Sequence, residues 1–224
     1  FYAAKPDSLK AALYAKYYIN KAKREKDTFQ TGEGNYYLSD ISKDSVYFVS
    51  FWNGVIQKTK KLNNKLYPAI AYLELGDFFF HKGDKDKALN NYLLMQNALE
   101  LNKNSHLKSL NQIRLGMSKS KNGEKKNALV LFKKSYNYFK LKNTNVNDYF
   151  SLMLNISSTY QSLKLYDSAI FYNDKMKSLA LKYNDSILYG YALYNFGKIE
   201  LIRGNYHIAI DSIKKSIPKI LKDE

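Results

Sequence analysis

Four positions return along this chain at fixed intervals. Gly76, Gly83, Ala88 and Tyr92, separated by 7, 5 and 4 residues, reappear as Gly116, Gly123, Ala128 and Phe132, and again as Gly197, Gly204, Ala209 and Ile213. A weaker copy is formed by Ser157, Lys164, Ala169 and Asn173. The leading members, Gly76, Gly116, Ser157 and Gly197, are 40, 41 and 40 residues apart. A period of this size predicts a helical array, because one helix pair cannot bury its own apolar surface and must stack on the next.

The residue types follow from steric demand. A glycine in one helix and an alanine twelve positions later, across a turn, let two antiparallel helices approach where longer side chains would hold them apart. The second glycine, in Lys82-Gly83-Asp84 and Asn122-Gly123-Glu124, falls at the turn, where a left-handed backbone is costly for any other residue. Leu75, Phe79, Ala88 and Tyr92 then supply the buried faces of one pair.

This pattern resembles the tetratricopeptide repeat family. The family's small residue in the first helix, the aromatic three residues on, the alanine of the second helix and the aromatic four residues after it are matched by Gly76, Phe79, Ala88 and Tyr92. Tyr194, Asn195, Phe196 and Gly197 look like the family's aromatic, asparagine, apolar, glycine run, and Tyr206 matches an aromatic early in the second helix. Two departures are a period near 40 rather than about 34 and the absence of a closing proline, which together imply longer helices and a less regular superhelix. The resemblance implies an all-α fold, a right-handed α-solenoid of antiparallel helix pairs with about eleven helices. It is expected to form a single domain over residues 1–224, with an N-terminal helix or cap at 1–26 and repeats at about 27–64, 66–103, 105–143, 146–183 and 185–222.

Local signals place the elements. Asp7 caps a first helix whose apolar face is read as Leu9, Leu13, Tyr17 and Ile19 to Ala22. Asp27 and Gln30 make a capping box, and Tyr36 takes the anchor position of a degenerate first repeat. Asp44 caps the next helix, where Phe48, Trp52 and Ile56 recur at helical spacing and Trp52 is read as a core residue. Pro68 occupies a first turn, where its missing amide hydrogen is harmless. Asn184-Asp185 caps the last pair, and Pro218 should kink or shorten its final helix.

Composition removes several function classes. Without cysteine there is no disulfide or thiolate chemistry. His81, His106 and His207 are far apart, with no second ligand one turn away, so no metal is expected. No phosphate-binding glycine loop or glycine-framed nucleophilic serine occurs. The reading is of a protein that is not an enzyme and carries no cofactor. The net charge of +16 is almost all lysine, with Arg24, Arg114 and Arg203 the only arginines, and fits solvated helix faces better than base readout. No 18-residue apolar run and no signal-peptide pattern occur, so this segment is expected to make no membrane contact itself. The chain starts at Phe1, and a fragment or processed form is expected.

Surface recognition is what remains. The family resemblance implies that the first helix of each pair lines a concave groove, and it carries the groove onto Glu33, Tyr37, Leu73, Asp77, Arg114, Met117, Asn155, Gln161, Tyr194, Asn195 and Lys198. Asn155 and Asn195 match positions where the family holds an extended peptide backbone, since an amide both donates and accepts; the alternative is that they satisfy neighbouring helices. The partner expected is a protein or peptide segment. The chain also looks like the repeat regions of bacterial regulators, notably of Bacteroidetes, that join such arrays to a membrane helix and an AraC-like helix-turn-helix domain; the stretches from Leu13 to Lys23 and from Tyr36 to Ile41 carry that likeness. It implies a sensory part of a transcriptional regulator, with DNA contacted only through a domain outside this chain. The location would be periplasmic if the regulator is membrane-anchored and otherwise cytoplasmic. The alternatives are a structural scaffold that forms homodimers through its ends and a basic nucleic-acid-binding module.

Overall fold

The computed structural model describes residues 8–25, 34, 37–38, 45–59, 66–142 and 145–221. Among these residues there are ten α-helices and no strand: α1 Ser8–Arg24, α2 Ser45–Thr59, α3 Leu66–Lys82, α4 Lys85–Ala98, α5 Ser105–Lys121, α6 Lys125–Lys142, α7 Val146–Ser162, α8 Tyr166–Lys182, α9 Ser186–Ile202 and α10 Tyr206–Ile220. Of the eleventh expected helix only Gly34, Tyr37 and Leu38 are described, all three helical; the Asp27 capping box, the Tyr36 anchor and the caps at Asp7 and Asp44 lie outside the described residues. None of the described helices is long and apolar enough to cross a membrane. The chain divides into two compact units, Phe1–Lys103 and Asn104–Glu224.

Each helix pair is closed by the same corner. Gly83 N–H donates to Phe80 O and Asp84 N–H to Phe79 O; the same two bonds run from Gly123 and Glu124, from Lys164 and Leu165, and from Gly204 and Asn205. This is the Schellman arrangement, in which a left-handed residue just past the helix end lets two orphan carbonyls find donors. Gly83, Gly123 and Gly204 have φ of 84°, 87° and 85°, and in the fourth copy Lys164 takes φ 59° in their place. The residue after each corner then opens the second helix; Asp84 does so by accepting a hydrogen bond from Lys87 N–H at 3.1 Å.

The anchor glycines make room for a ring sixteen residues on. A Cβ built at Gly76 would meet the Tyr92 ring, and one built at Gly116 would lie 2.5 and 2.8 Å from two Phe132 ring carbons. Ala88, Ala128, Ala169 and Ala209 are all fully buried, so small side chains on both helices permit the approach. The ring at Tyr92, Phe132 and, in aliphatic form, Ile213 fills the space that the missing Cβ leaves. Burying such a side chain contributes about 1.5–3 kcal/mol.

In the first unit, α1 buries Ala15, Ile19 and Ala22, and Leu38 packs on the first two. The expected face was displaced by part of a turn: Leu13 and Tyr17 are exposed, because Ala15, Ile19 and Ala22 form the tighter stripe against Leu38. On α2, Phe48, Trp52 and Ile56 pack with Ala71 and Leu75 of α3, so Trp52 belongs to a core cluster.

In the second unit, α6 contributes Phe132 and Phe139, α7 contributes Leu152, Ile156 and Tyr160, and α9 contributes Ile199 to one cluster. Met176 and Ala180 of α8 meet Leu188 and Ala192 of α9 in a second. Helix α10 continues through Pro218 to Ile220. It is not shortened at the proline, which sits in the final turn where only one carbonyl loses its donor.

Candidate functional site

The first helices of the second unit, α5, α7 and α9, lie side by side in that order. Each turns one stripe away from its packed faces. On α7 the stripe is Ser151, Asn155, Ser158 and Ser162, of which the serines are exposed and Asn155 half-buried. On α9 it is Tyr191, Tyr194, Lys198 and Leu201, and on α5 Arg114, Met117 and Lys121. Residues three and four apart share a helix face, so these are three parallel rows of side chains.

The α7 row is polar. Asn155 Nδ2 donates to the Ser151 backbone carbonyl at 3.0 Å and Ser162 Oγ to the Ser158 backbone carbonyl at 3.0 Å. Ser162 thus commits its one side-chain donor to the helix and Asn155 one of its two, and hydroxyl and amide oxygens along the row keep lone pairs that can accept. The α9 row is aromatic and basic. Tyr191 and Tyr194 are each 44% exposed, and Lys198 Nζ stands 5.8 Å from the Tyr194 ring centroid. A cation over a ring face is attracted by the ring quadrupole and stiffens both side chains.

Beneath the rows lies a buried polar hub. Asn195 Nδ2 donates to Ser157 Oγ at 3.1 Å and to Asn173 Oδ1 at 3.0 Å, and Asn195 Oδ1 accepts from Gln161 Nε2 at 3.1 Å. Ser157 Oγ in turn donates to Ala169 O at 2.9 Å. Ser157 and Asn173 take the places that glycine and a large apolar side chain, Tyr92, Phe132 or Ile213, occupy in the other pairs, so the polar pair substitutes for a steric one. Asn173 Nδ2 is buried with no hydrogen-bond partner.

The sequence-derived groove residues divide accordingly. Asn195, only 3% exposed, and Gln161, only 9% exposed, are spent on the hub; both are corrected from ligand contacts to packing residues, since their polar atoms are already matched by neighbouring helices. Asp77 accepts a hydrogen bond from Tyr92 O–H at 2.7 Å and so holds the ring that covers Gly76. Asn155, Tyr194 and Lys198 lie on the outward rows, as do Arg114 and Met117, with Met117 also touching the core. Tyr37 and Leu73 are half-buried in the first unit, and Glu33 lies outside the described residues. Sequence reasoning passed over Tyr191, and it placed Asn173 in the repeat column without assigning it a polar role. The signal for Asn173 was available: it is the polar member of an otherwise apolar column, in the same repeat that replaces glycine by Ser157.

An aromatic group packs against the core clusters of this unit. Tyr136 contacts Tyr149 and Tyr172 at 5.5 Å between centroids, and Tyr172 stacks on Tyr160 at 5.8 Å. Burial, followed by the hydrogen bond with Tyr136, holds the Tyr149 phenol well above the ordinary range, and burial also raises Tyr172. Among the described residues no group of three or more histidine, aspartate or glutamate side chains is placed to hold a metal ion.

No protein-family model matches this sequence, and no curated protein sequence matches it. Solved structures do match in fold. BtubC from P. vanneervenii superposes with a TM-score of 0.78 at 17% identity, over 96% of this chain and 91% of that one. A Podosopora anserina kinesin light chain protein of nearly identical TPR-like repeats gives 0.63 at 13% identity, over 95% and 98%. Rap protein complexed with competence and sporulation factor gives 0.63 at 12% identity, over 95% and 65%. The fold is an all-α helical repeat of the tetratricopeptide type.

Proposed function

We propose that this tetratricopeptide-type fold serves as a protein-interaction domain that binds an extended peptide or protein segment across α5, α7 and α9 of its second unit. The observation that carries the reading is the pairing of a polar row, Ser151, Asn155, Ser158 and Ser162, with a row of half-exposed aromatic and basic side chains, Tyr191, Tyr194 and Lys198. Tyrosine offers a large contact area at low entropic cost, and hydroxyl and amide oxygens suit backbone N–H groups. Lysine beside them favours a segment with a carboxylate. That Rap was solved with competence and sporulation factor bound supports the capacity of the fold for ligands.

The role is binding rather than catalysis, in keeping with three histidines set on three separate helices, α3, α5 and α10. Membership in a transcriptional regulator, with DNA contacted by a domain outside this chain, rests on the sequence resemblance of its opening segments. The test is a peptide library selected against the full chain, with affinities measured by calorimetry. Tyr194→Ala and Ser158→Arg should each weaken the selected peptides at least tenfold while leaving the circular dichroism spectrum unchanged. Peptides that bind both variants as tightly as the parent would place the ligand elsewhere.

A second reading, self-association through the N-terminal end, is favoured by one observation: Leu13, Tyr14 and Tyr17 form an exposed apolar cluster on α1. Sedimentation velocity on the parent and on Tyr14→Lys decides it, since a monomer in both removes the homodimer.

A further inference from the structure

Asparagine is followed by glycine twice in this chain, at Asn53-Gly54 and at Asn122-Gly123. The two pairs stand in different backbone. Asn53-Gly54 lies in the middle of α2, Ser45–Thr59, where the glycine amide belongs to the helical ladder. Asn122-Gly123 forms the corner between α5 and α6, and both residues are exposed. The Asn122 side chain makes no hydrogen bond among the described residues, and nothing lies within 4 Å of a Cβ built at Gly123.

A free asparagine amide beside glycine has its own chemistry. The Gly123 nitrogen, once its proton is taken by solvent, can attack Asn122 Cγ, because glycine has no side chain to block the approach. The N–Cγ bond forms, the Cγ–Nδ2 bond breaks, and Nδ2 leaves as ammonia with the proton that Gly123 gave up. Water then opens the five-membered imide at either of its carbonyls and leaves aspartate or isoaspartate. One water is consumed and one ammonia released, with no oxidant, metal or cofactor.

The corner holds this reaction back. Ring closure requires the Asn122 ψ to turn far from its 7°, which breaks the bonds from Gly123 N–H to Ser120 O at 3.2 Å and from Glu124 N–H to Lys119 O at 2.9 Å. A side-chain clamp spans the same corner: Glu124 Oε2 accepts from Lys119 Nζ at 2.8 Å and from Asn127 Nδ2 at 2.9 Å. All these contacts are at the surface, where local opening costs far less than unwinding a helix interior such as that around Asn53. The product suits the place poorly. In two other pairs the residue before the corner is Lys82 or Arg203, a cation that complements a helix C-terminus, whereas a carboxylate is repelled there. Isoaspartate also adds a backbone atom inside the corner, and the new charge lies next to Lys121 at the end of the α5 row.

We propose that Asn122-Gly123 is a site of spontaneous deamidation, gated by opening of the α5–α6 corner. The site does not depend on what the α5, α7 and α9 face binds.

The full chain is aged at mildly alkaline pH, folded and in concentrated urea, and conversion at both pairs is followed by peptide mass spectrometry. In the folded chain Asn122 should convert at least tenfold faster than Asn53, and in urea the two rates should converge. Glu124→Ala, which removes the clamp, should speed conversion at Asn122 severalfold in the folded chain and leave it unchanged in urea. Ageing should lower the melting temperature of the parent, and Asn122→Lys, which supplies the cation of the other corners, should abolish that fall. Equal rates at the two pairs in the folded chain, faster conversion at Asn53, or a folded Glu124→Ala rate no higher than the parent's overturns the inference. So does a fall in melting temperature of the same size in Asn122→Lys.

Discussion

Asn195 Nδ2 on α9 donates to Ser157 Oγ on α7 across 3.1 Å, with both residues buried. The contact joins two helix pairs through the position that elsewhere holds a glycine. Low local polarity raises the cost of each group that such a link leaves unpaired, as Asn173 Nδ2 already is.

Replacing Asn195 by leucine should therefore destabilise the protein by about 1–3 kcal/mol, by leaving Asn173 Oδ1 and Gln161 Nε2 without their partner while Ser157 keeps its bond to Ala169 O. Asn155→Ala, at a half-buried surface position, should cost within about 0.5 kcal/mol. Urea unfolding of both variants checks the contrast; similar midpoints would mean that the hub contributes nothing.

Gly116→Val should cost about 1–3 kcal/mol through overpacking, since the new Cβ collides with the Phe132 ring. Phe132→Leu in the same chain should recover part of that loss, and the double-mutant cycle measures the coupling. Gly54 on α2 is the control: nothing lies within 4 Å of a Cβ built there, and Gly54→Ala should stabilise by about 0.5–1 kcal/mol.

Lys164 occupies, at φ 59°, the corner that glycine holds in the other three pairs. A side chain in the left-handed region costs about 1–2 kcal/mol, so Lys164→Gly should raise stability by as much as about 1 kcal/mol after the added flexibility of the unfolded chain is subtracted. Gly123→Lys should lower it by a similar amount. A thermal melt in which Lys164→Gly is neutral or harmful would show that Lys164 makes a compensating contact.

Alkaline pH should loosen the second unit before the ordinary phenols have all ionised. Burial keeps Tyr149 and Tyr172 protonated in the folded chain, whereas in the unfolded chain they ionise near pH 10. Because the folded value is raised, the contribution is intact below about pH 10 and is lost as pH climbs through the folded value. Tyr149→Phe should flatten the decline in stability above about pH 10. Parallel pH profiles for parent and variant would remove Tyr149 as its source.

Much of the fold was legible because steric rules act locally. A glycine at a left-handed corner, an alanine under a crossing helix and a ring sixteen residues beyond the anchor can be read off a period, and Gly76, Gly116 and Gly197 all behaved accordingly. On α1 the expected face held at Ile19 and Ala22 but not at Leu13 and Tyr17, because periodicity cannot tell which of the residues beside Ile19, Ala15 or Tyr17, faces inward until a neighbour such as Leu38 selects one.

The site was only half legible, and the reason is geometric. Asn155 and Asn195 stand at equivalent positions of successive repeats, and the period gives them the same role. Packing separates them: α9 turns Asn195 onto Ser157, Asn173 and Gln161, while Asn155 bonds to its own helix and stays at the surface. The sequence by itself determined the helices, their pairing and the corners, since these depend on local backbone and steric preferences. Only the tertiary structure decided which polar residues stay at the surface and which close a core, because that depends on what the neighbouring helix presents.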